Sequence, residues 1–110
     1  GDSATIAQLY AALSAAGQFL PQSGIVVTGA MNLKGDVLPI GSVTEKAEGA
    51  YRSGAIGFIY PWDNKRDLYL RPSVMEAVQQ GRFHLWPIRR VEEGAELLFE
   101  KKWKTMMRKI

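Results

Sequence analysis

Cysteine is absent from this chain of 110 residues, which excludes disulfides, thiol catalysis and zinc sites built on thiolates. That absence fits a reducing compartment, and the cytoplasm is the expected location. Long apolar runs are missing as well. None approaches the roughly 20 residues that a bilayer-spanning helix needs, and the opening GDSATIAQLY has no basic flank leading into a signal-peptide core. We therefore expect a soluble, unexported chain with no membrane partner. Histidine occurs once, at His84. No GxxxxGK[ST] stretch is present to cradle a nucleotide phosphate, and no repeat, linker or low-complexity segment interrupts the chain. Charge of one sign is in mild excess, +3, much of it from the terminal EKKWKTMMRKI. A basic tail of this kind can touch nucleic acid or anionic lipid, or it can place cations at the negative pole of a helix. What remains is ordinary. The 46% hydrophobic and 23% charged residues are globular averages, and the length suits one domain around one core.

Ile6, Leu9, Tyr10, Leu13 and Ala16 recur at three- and four-residue steps among alanines, which predicts a helix from Ser3 to about Phe19, ended by Gly17 and Pro21. Ile25 to Gly29 is β-branched and reads as a strand. Met31 to Ile40 reads as a hairpin about Lys34-Gly35-Asp36. Gly41-Ser42 opens a second helix with Val43, Ala47, Ala50 and Tyr51 at helical spacing, stopped by Gly54. Ile56 to Tyr60 is the next strand, closed by Pro61, and Trp62 to Tyr69 reads as a helical turn with Asp63 or Asn64 near its start. A short helix over Ser73 to Gln80 follows, with Pro72 at its beginning and Gly81 past its end. Phe83 to Ile88 reads as a strand, and Val91 to the C-terminus as one last helix turning Val91, Ala95, Leu98 and Trp103 to the core. Strands alternating with helices imply an α+β fold of mixed α/β layers.

Gly1-Asp2-Ser3-Ala4 places a serine where a helix begins, and free N–H groups and the positive dipole end there can stabilise an oxyanion. The same residues can equally serve as a plain helix cap. A nucleophilic serine needs a base. His84 lies in the strand-like Phe83-His84-Leu85-Trp86 and reads as structural or half-exposed, which disfavours a Ser/His/Asp arrangement. A lysine can substitute where burial and hydrogen bonding oppose its ammonium form. Lys46 is the best candidate, flanked by Val43, Ala47 and Ala50 early in a helix whose positive end disfavours a cation. Glu45 stands beside it, but neighbours on a helix point about 100° apart and need not pair. Spacing alone leaves open that Lys46 is a surface lysine.

Four blocks in order, GDSA, VTGAMNLKGDVLPIG, SVTEKAEGA and GFIYPWDNKRDL, resemble those of Lon proteolytic domains (the S16 type), and the likeness runs from Gly1 to about Phe99. The resemblance implies the C-terminal part of that domain's fold and a catalytic dyad, with Ser3 as nucleophile and Lys46 as general base at the family's usual separation. It also implies that Thr28, of the Thr-Gly pair, lies beside the lysine and hydrogen-bonds to it. No metal or cofactor is implied for these residues. ATP and Mg are expected only for a separate ATPase domain.

Departures from the common pattern occur at several places. GDSA rather than GPSA, together with SVMEAVQQGRFHLWPI, resembles a Lon-related bacterial or LonB-like branch. Asp2, beside the nucleophile, is expected either to pair with Lys46 in the resting state or to cap the helix. Ala30 stands where glutamate is usual, and Ser42 where a second glycine is usual. Family members normally have strands before the serine block, so residues 1–110 read as a fragment lacking those strands and the ATPase domain. The function implied is a serine endopeptidase acting on unfolded or damaged polypeptides, ATP-dependent in the full-length protein and assembled as a homo-oligomeric ring. The alternative is a non-proteolytic Lon-like assembly or DNA-linked module. A nucleic-acid-binding role for the basic tail and Trp103 lacks any groove-reading motif.

Overall fold

In the computed structural model, residues 3–110 are described. A three-stranded parallel sheet organises the chain in the order β1 (Ile25–Val27), β4 (Gly57–Pro61), β5 (His84–Ile88). The central strand β4 is buried along its whole length, and its side chains alternate between two cores as a pleated strand requires. Ile59 joins Ile6, Tyr10, Ile88, Ala95 and Phe99 on one face. Phe58 and Tyr60 join Val43, Ala47, Val74 and Phe83 on the other. Helices α1 (Thr5–Gly17), α4 (Val91–Phe99) and α5 (Trp103–Met107) supply the first face; α2 (Val43–Arg52) and α3 (Pro72–Gln79) supply the second. The result is the mixed α/β layering expected from the alternation of elements.

Between β1 and α2 the chain makes a small antiparallel hairpin, β2 (Ala30–Met31) with β3 (Val37–Leu38), in the register Ala30 opposite Leu38. Its tip is pinned to the segment after β5. Arg90 donates to Asp36 Oδ1 at 2.8 Å and to the Lys34 carbonyl at 2.7 Å, and Val37 N donates to the Arg89 carbonyl at 2.8 Å. A 3-10 helix, Trp62–Asp67, follows β4. None of the helices in the described residues is long and apolar enough to cross a membrane.

Two expectations change. The first helix begins at Thr5 rather than at the serine, so Ser3 stands in the turn that leads into it. The last helix is two helices. Glu100 takes a left-handed backbone, φ 54°, which stops α4, and Trp103 N donates to Glu96 Oε2 at 2.8 Å. The break folds α5 back so that Met106 is fully buried and Trp103 packs on the first core. A continuous helix would carry both away from it.

Candidate active site

The site lies beyond the carboxyl end of β1, the position where open parallel sheets gather their ligands. Thr28 continues the ladder, its N–H donating to the Ile59 carbonyl at 3.0 Å. Gly29 then meets the serine turn on both sides: its N–H donates to the Ser3 carbonyl at 2.7 Å, and its own carbonyl accepts from Ile6 N at 3.2 Å. Gly29 has φ 152°, and a Cβ there would press on the Ile6 side chain, so only glycine allows this approach. Ser3 is thus clamped by backbone hydrogen bonds to the end of a strand.

Lys46 comes from the opposite helical layer. Val43 and Ala47 bury the inner stripe of α2 and leave Lys46, one turn in, half-buried at its edge. Lys46 Nζ donates to Ser3 Oγ at 2.8 Å across 43 positions of sequence. Among the described residues, the ion pairs are Arg71–Glu48, Arg90–Asp36 and Arg90–Glu92; none takes up the Lys46 amine, and Glu45 points to solvent. Together Ser3 and Lys46 open on a groove of about 640 Å³, walled by Ala30, Leu38, Pro39 and Ile40.

Thr28 is nine-tenths buried, and its hydroxyl donates to the Ser3 carbonyl at 3.3 Å. The resemblance implied a bond to Lys46; the bond found here is to the serine's backbone, so Thr28 meets the pair from the side of Ser3. Asp2 lies outside the described residues. His84 is exposed on β5, stacked on Trp86 at 5.5 Å between ring centroids. It takes no part in the Ser3–Lys46 contact, as its strand-like setting suggested. Ala30 and Ser42, the two departures from the usual pattern, both line the groove.

Sequence reasoning missed the supports of α2. Thr44 Oγ1 donates to the Asp67 carbonyl at 2.8 Å and accepts from Tyr69 N at 3.0 Å. Glu48 is buried, and its Oε2 accepts from Arg71 N at 2.8 Å. That backbone N–H, more than the Arg71 guanidinium, holds the Glu48 carboxyl below its ordinary range. Asn64 was expected only as a helix start. It is instead fully buried and bonded to Ile40 in the groove wall.

Residues 1–100 match the family model of the Lon protease (S16) C-terminal proteolytic domain. A putative Lon protease homolog of Escherichia coli (strain K12) is 33% identical over 94% of this chain and 19% of its own length. An archaeal Lon protease of Pyrococcus abyssi is 32% identical over 100% of the chain and 11% of its own length. A Lon protease of Leptospira interrogans is 40% identical over 93% of the chain and 12% of its own length. The chain spans less than a fifth of the length of each of these relatives. With the family model covering nearly all of it, this chain belongs to the Lon protease (S16) C-terminal proteolytic domain family.

Proposed function

We propose that this chain is the catalytic portion of a Lon-type serine endopeptidase. The observation that carries the reading is the 2.8 Å contact between Lys46 Nζ and Ser3 Oγ, which lies within the reach required of a nucleophile and its base. In the neutral form, the Lys46 amine takes the hydroxyl proton as Ser3 Oγ attacks the scissile carbonyl carbon. The resulting ammonium then gives that proton to the leaving amine, and an ester to Ser3 remains. Water, deprotonated by Lys46, cleaves the ester and returns the serine. Backbone N–H groups of the turn around Ser3 hold the oxyanion. Thr28 and Gly29 fix the Ser3 backbone.

Unfolded or damaged polypeptides suit an open groove without a closed specificity pocket. Assembly as a homo-oligomeric ring and a cytoplasmic location belong to the same proposal. ATP and Mg belong, in this proposal, to a separate ATPase domain. A non-proteolytic assembly or DNA-linked module would have no use for a lysine held on a serine hydroxyl. Trp103, packed on the core, is poorly placed to stack on a base.

The test compares hydrolysis of an unfolded, casein-like substrate by the complete protein and its Ser3→Ala, Lys46→Ala and Lys46→Arg variants, with circular dichroism confirming folding. We expect Ser3→Ala to abolish cleavage. Lys46→Arg should be nearly as damaging as Lys46→Ala, because a guanidinium stays protonated at any working pH. Activity of Lys46→Arg within a few-fold of wild type would end the dyad assignment.

A further inference from the structure

We propose that Asn64 is a positioning residue that sets the groove wall against the Ser3–Lys46 pair. Its side chain is 1% exposed. Oδ1 accepts from Ile40 N at 2.9 Å, and Nδ2 donates to the Ile40 carbonyl at 3.0 Å. One side-chain amide thereby does for Ile40 what a neighbouring strand would do, satisfying both of its backbone groups. The second Nδ2 hydrogen goes to Asp67 Oδ2 at 2.9 Å. Asn64 thus uses both donors, and its orientation is fixed.

Ile40 is the last wall residue before the Gly41-Ser42 turn into α2, and the Ser42 carbonyl accepts the Lys46 N–H at 3.1 Å. The segment that holds Ile40 through Asn64 also holds α2 through the Thr44 hydroxyl on the Asp67 carbonyl. One short stretch, residues 64–67, therefore grips the groove wall and the helix of the base from the same side. The wall of two-residue strands, pinned at its tip by Arg90, has too few ladder bonds of its own to fix its Ile40 end. The amide latch makes up the difference. Asn64 touches neither reacting atom, so its effect falls on substrate placement first and on proton transfer second.

The inference rests on the proposed hydrolytic reading, and the experiment separates the two. In the complete protein, kcat and KM for a fluorogenic peptide are measured for wild type, Asn64→Ala, Asn64→Asp, and Asn64→Asp combined with Asp67→Asn. Ser3→Ala is the control, and melting temperatures are taken in parallel. We expect Asn64→Ala to raise KM about tenfold or more with a smaller fall in kcat, since small misplacements of a reacting geometry are costly. Asn64→Asp keeps the acceptor for Ile40 N but loses the donor and faces the Asp67 carboxylate, and should raise KM similarly. Adding Asp67→Asn restores a donor between positions 64 and 67 and should recover part of the loss. A role in stability alone would lower the melting temperature and leave the KM of the folded enzyme unchanged. KM within twofold of wild type in both single variants, with Ser3→Ala inactive, overturns the latch and leaves the hydrolytic reading standing. Should Asn64→Ala fail to fold, the two variants that carry Asn64→Asp decide by the same criterion. Full activity in Ser3→Ala would overturn both.

Discussion

Ser42 enters α2 with φ 59° and ψ 38° and makes no side-chain cap bond. A left-handed backbone costs an L residue about 1 kcal/mol or more, and glycine would not bear that cost. Allowing for glycine's greater loss of freedom on folding, Ser42→Gly should stabilise the chain by roughly 0.5–1 kcal/mol, read as a rise in the denaturant midpoint. Glu48 argues the opposite direction at a neighbouring point of the same helix. Its folded pKa lies below its ordinary value because Arg71 N donates to it. The native state therefore binds fewer protons than the unfolded one as pH falls. The stability Glu48 contributes is present above the unfolded pKa and is lost as pH drops through the lower, folded one. Glu48→Gln should flatten that acid limb, as measured by urea unfolding across the carboxylate range.

At the scale of elements, α1 and α4 are joined by a buried bond, Tyr10 OH donating to the Val91 carbonyl at 2.7 Å. Burial first, then Glu92 and Glu93, raise the Tyr10 pKa. Its contribution is therefore full below pH of about 10 and fades as pH rises above that. Tyr10→Phe removes this bond and should cost about 0.5–1.5 kcal/mol, while removing the alkaline fall. These contacts explain what could be read beforehand. The α2 stripe of Val43, Ala47 and Ala50 was legible because burial on one face imposes a helical period, whereas the approach of Lys46 to Ser3 was expected only from the resemblance of the ordered blocks, spacing alone leaving Lys46 a surface lysine. The division of the last helix was not, because Glu100 adopts its positive φ under tertiary packing of Trp103 and Met106 rather than by any local preference. Asn64 was hidden for a similar reason: its partner, Ile40, is 24 positions away, and nothing local announces that a polar side chain will stand in for a strand.

Across the whole molecule, the two side chains of the proposed dyad belong to different layers. Ser3 is fastened to the end of β1 on the face of α1, and Lys46 rides on the helix that covers the other face. The sheet between them is parallel, so each strand pair closes only after a long crossover, Val27 pairing with Ile59 and Ile59 with Trp86. Such non-local pairings form slowly compared with helices. On dilution from denaturant, the far-ultraviolet helix signal of the complete protein should return first. Peptide hydrolysis should recover only with the slowest tryptophan phase, and activity that ran ahead of that phase would contradict this order. On the proposed reading, a chain still emerging or partly folded carries two inert halves, an ordinary hydroxyl and an ordinary amine, so a centre built across layers stays harmless until the architecture that confines it is complete.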